Sequence, residues 1–102
     1  MILTKEEKEE IKKALVVSLC HEPEITKIVV FGSFLTVSTP HDLDVAVFQD
    51  SSQSYLPLAM KYRRKTRPIA NRIALDILPL KAGVGGSVML DAIARGEVVY
   101  ER

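Results

Sequence analysis

Residues 31–48 read FGSFLTVSTPHDLDVAVF, a Gly-Ser turn and a short spacer between two apolar runs. The runs, Ile25 to Phe31 and Leu43 to Phe48, are rich in β-branched residues and predict buried strands. Gly32 lets the backbone approach a phosphate because no Cβ stands in the way, and Ser33 offers a hydroxyl and a backbone N–H. The stretch therefore predicts a phosphate-binding turn between two strands.

A pair of acids opens the second of these strands. Asp42 and Asp44 are two positions apart, so their side chains project from the same face of the strand. Leu43 and Val45 then point the other way into the core, which sets the register of the strand. Both carboxylates can therefore reach one metal cluster.

A third acid lies in a later apolar run. Asp76 stands in a predicted strand from Ile73 to Leu78, which Pro79 closes, and an acid in such a run is costly to bury unless it is paired or bound to metal. Clustered carboxylates repel one another, a pair of divalent cations offsets that repulsion, and oxygen-only ligands favour Mg²⁺. Asp42, Asp44 and Asp76 are therefore the candidate metal ligands.

The remaining segments predict helices and strands in alternation. The first helix is opened by a capping box at Thr4-Lys5-Glu6-Glu7 and ends near His21-Glu22-Pro23, and a second helix begins at Ser54 and ends before Pro68. Gly83 to Gly86 is a flexible loop. It is followed by a short helix that Ser87 caps and that runs through Leu90 and Ile93 to Gly96, and then by a last strand or apolar tail at Val98 to Tyr100. This order predicts an α/β (α+β) fold, a small mixed β-sheet with helices packed against it, in a single domain of residues 1–102.

Charge and cysteine content limit the class of protein. A net charge of +1 argues neither for nor against nucleic acid as a ligand. Cys20 is the only cysteine, so a disulfide or a cysteine-based zinc cluster cannot form within one chain, and a reducing cytosol is expected. The Cys20-His21 pair is interpreted as structural. No stretch has the apolar length of a signal peptide or a membrane span, so we expect a soluble, cytoplasmic protein.

Familiar nucleotide motifs are missing from the chain. The Gly32-Ser33 turn lacks the Gly-Lys-Ser/Thr end of a Walker loop, and no G-x-G-x-x-G occurs, which argues against the P-loop kinase and Rossmann classes. Gly83 to Gly86 has no following lysine and is interpreted as a connector. His41 has no second histidine nearby, so we interpret it as a loop residue rather than a zinc ligand.

A basic patch at the end of the second long helix has two interpretations. Its members are Lys61, Arg63, Arg64, Lys65 and Arg67. Such a run complements the helix dipole and stays solvated. Alternatively, one or two of these groups, or Arg72, contact a triphosphate, an acidic partner or RNA. The sequence leaves both interpretations open.

Taken together, Gly32-Ser33, Asp42-x-Asp44 and Asp76 resemble the signature of the DNA polymerase β-type nucleotidyltransferase superfamily. The branch that they resemble most is its minimal nucleotidyltransferase (MNT) domains. The helix before the first strand and the closing segment Ala94 to Glu101 are similar to the same branch, so the resemblance covers nearly the whole chain.

The resemblance implies a role for each matching residue. Gly32 and Ser33 would hold the β and γ phosphates of a nucleoside triphosphate, and Asp42 and Asp44 would bind two Mg²⁺ ions. Asp76 would join them at the second ion and help to deprotonate or orient the attacking hydroxyl. The implied reaction moves a nucleoside monophosphate, AMP from ATP, to an acceptor hydroxyl and releases pyrophosphate.

The resemblance also implies a partner. In the MNT branch the acceptor is frequently a tyrosine of a helical HEPN-domain protein, often an RNase toxin, which would make this chain an antitoxin. A chain without a substrate-binding domain fits a macromolecular acceptor.

Two departures from the family pattern motivate an alternative function. The spacer Phe34 to His41 is short, and it lacks the arginine that often follows the serine. The alternative is a catalytically weak module that neutralises its partner by sequestration. A third possibility, a structural nucleic-acid binder, rests only on the basic patch.

Overall fold

The computed structural model of the chain describes residues 2–81 and 88–102. Helices and strands alternate along it. They are α1 (Lys5–Leu19), β1 (Ile25–Phe31), α2 (Ser33–Thr36), β2 (Asp42–Gln49), α3 (Tyr55–Lys65), α4 (Arg67–Ala70), β3 (Ala74–Lys81), α5 (Val88–Ala94) and β4 (Glu97–Glu101).

The strands form one mixed sheet in the order β3-β2-β1-β4. β1 runs antiparallel to both β2 and β4, whereas β2 and β3 are parallel. A parallel pair needs a crossover, and α3 with α4 supplies it between β2 and β3. The predicted fold class, a small mixed sheet with helices packed against it, is confirmed.

Each face of the sheet has its own apolar layer, because side chains alternate along every strand. On one face α1, α3 and α4 cover the sheet, and the shared core includes Leu15, Val30, Leu43, Tyr62 and Ile77. On the other face a smaller cluster is formed by Val29, Phe31, Ala46 and Ile93, the last of which comes from α5. The site described below lies on this second face.

The start of α1 has the predicted capping box. The Thr4 hydroxyl accepts a hydrogen bond from the Glu7 backbone N–H at 3.1 Å, and the Glu7 carboxylate accepts one from the Thr4 N–H at 3.0 Å. Two of the helix's orphan donors are thereby satisfied. The predicted bounds of β1 are confirmed, and β2 is one residue longer at each end than predicted.

The predicted end of the second long helix before Pro68 is confirmed, since α3 ends at Lys65, whereas the predicted end of the third strand at Pro79 is wrong. Pro68 lies in the first turn of α4, a position where its missing N–H costs no helical hydrogen bond. Pro79 does not close the third strand but lies within β3, which runs on to Lys81. β3 is an edge strand, where a residue without an N–H donor is tolerated. The expected loop Gly83 to Gly86 and the expected cap Ser87 lie outside the described residues.

The last predicted segment is a strand rather than a tail, since β4 pairs with β1 along the free edge of the sheet. Within residues 2–81 and 88–102, no helix combines the length and the apolar character that a membrane crossing requires.

Candidate functional site

Three carboxylates converge at one end of the sheet. Asp42 and Asp44 come from β2 and Asp76 from the neighbouring β3, where the register pairs Asp76 directly with Asp44. One oxygen from each carboxylate lies within 4.8 Å of an oxygen of each of the other two. The expected juxtaposition of the three acids is therefore confirmed, and it depends on the parallel register of β2 and β3 as well as on alternation within β2.

The three acids differ in exposure. Asp42 and Asp44 are half-buried, whereas Asp76 is exposed. Asp76 lies in the apolar run that the sequence indicated, but its side chain is exposed, so the cost of burying an unpaired carboxylate does not apply to it. An exposed third carboxylate keeps one side of the cluster accessible to a ligand.

The electrostatics of the cluster favour a cation. Burial raises the pKa of Asp44, and the neighbouring charges of Asp42 and Asp76, together with a hydrogen bond to Asp76, raise it further. Ionised Asp44 is therefore destabilised by its surroundings. A divalent cation between these carboxylates would remove the repulsion, and the donor set consists only of the hard oxygens that Mg²⁺ prefers.

The Gly-Ser turn touches the acids. Gly32 has φ of +81°, and a Cβ placed on it would lie 2.6 Å from Asp44 Oδ2. Glycine is required here both by the left-handed backbone conformation and by the close approach of the carboxylate. The predicted phosphate turn and the predicted metal ligands are therefore parts of one site.

Ser33 follows as the first residue of the short helix α2, with its side chain exposed. The turn is closed by hydrogen bonds from Leu35 N to Gly32 O at 3.2 Å and from Val37 N to Ser33 O at 2.9 Å. Phe34 is fully buried beneath it and anchors the turn in the core. The Ser33 hydroxyl is thus presented to solvent on a backbone that is held in place.

The spacer carries a contact that the sequence analysis missed. Lys8 Nζ, from α1, donates to the Val37 carbonyl at 2.6 Å and lies 5.5 Å from the centre of the Phe34 ring. No lysine or arginine occurs in residues 33–41. The cationic side chain that contacts this segment is therefore that of Lys8, which lies 29 positions before Val37 in the sequence. No local motif signals such a contact.

His41 is exposed, and it does not belong to the group of possible metal ligands found in the described part of the chain, which consists of the three aspartates. Its interpretation as a loop residue is consistent with that position.

The basic patch divides into two sets. Lys61 Nζ lies 2.9 Å from a Glu24 carboxylate oxygen, and Lys65 Nζ lies 2.8 Å from one of Glu22, so these two lysines bind the connection between α1 and β1. The other set consists of Arg63, Arg64 and Arg67, which are exposed. Leu75, which shares a groove with these arginines, packs on the helix-covered face of the sheet, opposite the acids.

Comparisons with known proteins bear on the fold. No protein-family model matches the chain, and no curated protein matches it either. Solved structures do match. An MNT antitoxin in complex with a tri-AMPylated HEPN toxin from Shewanella oneidensis has a TM-score of 0.68 at 15% identity, with 93% of this chain and 73% of that one covered.

Two further structures are of the MntA toxin–antitoxin pair. The MntA-HepT complex matches with a TM-score of 0.65 at 16% identity, covering 92% of this chain and 73% of that one. A mutant of the pair, with two Asp-to-Glu substitutions, matches with a TM-score of 0.63 at 17% identity, covering 93% and 73%. Identity this low establishes the fold alone, and the chain therefore shares the nucleotidyltransferase-like fold of the MNT antitoxins.

Proposed function

We propose that residues 1–102 are a single minimal nucleotidyltransferase domain, which transfers AMP from ATP to a hydroxyl of a macromolecular acceptor. The observation that supports this most directly is the convergence of Asp42, Asp44 and Asp76 against Gly32, on the fold of the MNT antitoxins. Metal ligands and a backbone turn without a Cβ are the two elements that a triphosphate requires.

Each residue has a distinct role in the proposal. Gly32 and Ser33 hold the β and γ phosphates through the backbone and the Ser33 hydroxyl. Asp42 and Asp44 would hold two Mg²⁺ ions, and Asp76 would join them at the second ion. When bound, Mg²⁺ neutralises charge on the triphosphate and on the departing pyrophosphate.

The chemistry is an in-line displacement. The acceptor oxygen forms a bond to the α-phosphorus, the bond from that phosphorus to the bridging oxygen breaks, and pyrophosphate leaves with the electron pair. Asp76 orients the attacking hydroxyl and takes up its proton, for which its exposure leaves room. Positioning and charge neutralisation account for most of the rate in such a reaction.

The proposed acceptor is a HEPN-domain protein, with this chain as its antitoxin. In the Shewanella oneidensis complex the HEPN toxin carries AMP groups and is bound to an MNT antitoxin. We place the pair in the cytoplasm, in keeping with the lone, free Cys20.

The test is label transfer. The chain, Mg²⁺ and α-labelled ATP are incubated with the protein encoded beside it, and the wild type is compared with Asp42→Ala/Asp44→Ala. Transfer to the partner should fall by at least about 10³-fold in the double variant, the usual scale for losing a group that stabilises the transition state. Asp50→Ala, one residue beyond the far end of β2, is the matched control and should retain activity.

The second candidate function is sequestration of the partner without transfer. It is favoured by the spacer, since residues 33–41 contain no lysine or arginine to contact a phosphate. If the double variant still inhibits the partner and the wild type transfers no label, sequestration replaces nucleotidyl transfer as the function.

A further inference from the structure

The chain carries its charge unevenly. Residues 51–75 contain six basic residues and no acidic one, whereas the rest of the chain contains eight basic and 13 acidic residues. This segment includes α3, α4 and the start of β3. A chain that is almost neutral as a whole therefore concentrates positive charge in one segment.

Part of this positive charge is unneutralised. Lys61 and Lys65 are held in the ion pairs described above. Arg63, Arg64 and Arg67 form no ion pair within residues 2–81 and 88–102, and all three are exposed. The three arginines are thus free to meet an anionic ligand.

An aliphatic stripe adjoins the arginines. Leu56, Met60 and Arg63 follow at spacings of four and three residues, which places them on one face of α3. Leu56 is 62% exposed and Met60 is 51% exposed, because α3 uses its opposite face for the core. Neighbouring exposed aliphatic side chains of this kind mark interaction surfaces more often than isolated ones do.

A groove of about 520 Å³ joins these features. It is lined by the three arginines and by Met60, Thr66, Ala70 and Leu75. The Thr66 hydroxyl already donates to the Tyr62 carbonyl at 2.8 Å. Among the described residues that line the groove none is aromatic, so it lacks the aromatic side chains on which single-stranded nucleic-acid binders stack successive bases. Aliphatic walls with arginines suit a ligand that has aliphatic and carboxylate side chains.

We propose that this groove binds an acidic amphipathic helix of a partner protein. The aliphatic side chains of that helix enter between Met60 and Leu75, and its carboxylates pair with Arg63, Arg64 and Arg67. Leu75 faces away from the carboxylate cluster, so docking and nucleotidyl transfer use different faces of the sheet. The proposal therefore does not depend on the transfer reaction.

The test uses the whole chain and a fluorescein-labelled helical peptide of about 18 residues with leucines on one face and glutamates flanking them. Fluorescence anisotropy should show saturable binding. Arg63→Glu/Arg64→Glu and Met60→Glu should each raise the Kd at least about tenfold. All three positions are exposed, and circular dichroism checks that the variants remain folded.

Matched controls separate the groove from charge in general. Lys5→Glu/Lys13→Glu reverses two exposed lysines on α1 and should change the Kd by less than about twofold. Asp42→Asn/Asp44→Asn should bind the peptide like the wild type, so a failure of nucleotidyl transfer leaves this result intact. A peptide that keeps the glutamates but has glutamine for leucine should bind at least about tenfold more weakly.

Several results would overturn the proposal. Equal affinity for the leucine and glutamine peptides would mean charge attraction without a groove. Equal weakening by the Lys5/Lys13 control would mean that the arginines have no special part. Tighter binding of a single-stranded RNA or of phosphatidylserine vesicles than of the peptide, lost in the arginine variant, would assign the surface to nucleic acid or to membrane.

Discussion

Asp44 lies at the centre of the candidate site. It pairs with Phe31 of β1 on one side and with Asp76 of β3 on the other, and its carboxylate touches the Gly32 backbone. The charge of the Asp44 carboxylate and the space that it occupies beside Gly32 can therefore be tested separately. Substitution at Asp44 tests the charge, and substitution at Gly32 tests the fit.

Replacing Asp44 with Asn should stabilise the metal-free protein. The pKa of Asp44 is raised in the folded state, so its ionisation opposes folding. At pH 7 Asp44→Asn should therefore increase the free energy of unfolding, by less than about 1 kcal/mol because solvent screens a half-exposed carboxylate. The advantage should vanish as pH falls below about 4, where the carboxyl is protonated in both states.

Urea unfolding at pH 7 and pH 3.5 or so measures the effect, with Asp50→Asn as the control. Saturating Mg²⁺ should reverse the order, because only the wild type gains stability from binding. A variant less stable than the wild type at pH 7 without metal would contradict the repulsion argument.

Replacing Gly32 with Ala should damage fold and site together. The added Cβ would lie 2.6 Å from Asp44 Oδ2, and the residue would be held at φ +81°. We expect a loss of about 1–2 kcal/mol in the free energy of unfolding and a smaller rise in melting temperature with Mg²⁺ than in the wild type. The neighbouring substitution Ser33→Ala, at an exposed position, should change the free energy of unfolding by no more than about 0.5 kcal/mol. Equal stability of Gly32→Ala would show that the turn can shift away from the acid.

At the scale of elements, local signals predicted local structure. The β-branched run that ends at Gly32 predicted both ends of β1 correctly, and the capping box predicted the start of α1. The prediction that Pro79 ends the third strand was wrong because proline is tolerated inside a strand at the edge of a sheet. Which strand lies at the edge cannot be predicted from the local sequence. The sequence also predicted Gly96 only as a helix end.

Gly96 is in fact a packing contact between α5, β4 and β1. A Cβ on it would lie 2.6 Å from the Val30 carbonyl oxygen and 2.8 Å from Val29 Cγ1. Because the nearest atom belongs to the backbone, which cannot move aside as a flexible side chain can, Gly96→Ala should lower the free energy of unfolding by about 1–3 kcal/mol. It should also weaken the pairing of β4 with β1. Urea unfolding and amide hydrogen exchange in β4 measure both effects. Arg95→Ala, one residue earlier and exposed, should leave exchange unchanged; protection of β4 that is retained in Gly96→Ala would contradict the packing argument.

At the scale of the whole molecule, an ion-pair network joins segments that are distant in sequence. A hydrogen bond from Lys65 lowers the pKa of Glu22. Burial alone would raise the pKa of Glu24, but hydrogen bonds from Lys61 and Tyr62 outweigh it, and the pKa is lowered. Both carboxylates are thus more acidic in the folded state than in the unfolded chain.

The network should make stability depend on pH in the acid range. The contribution of the network to stability is complete above the unfolded-state pKa of 4.5 and is lost as pH falls through the lowered pKa values of Glu22 and Glu24. Glu22→Gln/Glu24→Gln should lower the free energy of unfolding by about 1 kcal/mol at pH 7 and by much less near pH 3. Thermal unfolding across this range is the measurement, with Glu10→Gln on the exposed face of α1 as control; parallel pH profiles for the variant and the wild type would contradict the assignment.

The sequence predicted the residues of the candidate site and their convergence, but not the strand register that brings them together. Alternation within β2 predicted that Asp42 and Asp44 share a face, yet nothing local predicted that Asp76 pairs with Asp44 or that its side chain is exposed. The contact of Lys8 with Val37 could not be predicted from the local sequence either, since it joins α1 to the spacer across 29 positions. Long-range register and edge position are properties of the assembled sheet.

The parallel pairing of β2 with β3 also has a consequence for the order of folding. Gly32, Asp42 and Asp44 come together when β1 and β2 form their antiparallel pair, whereas Asp76 joins them only after the intervening crossover has closed. Non-local parallel pairing is slow compared with the formation of local contacts. During synthesis or refolding, the complete carboxylate cluster is therefore a late event, and a chain interrupted before β3 would have the turn and two acids without the third.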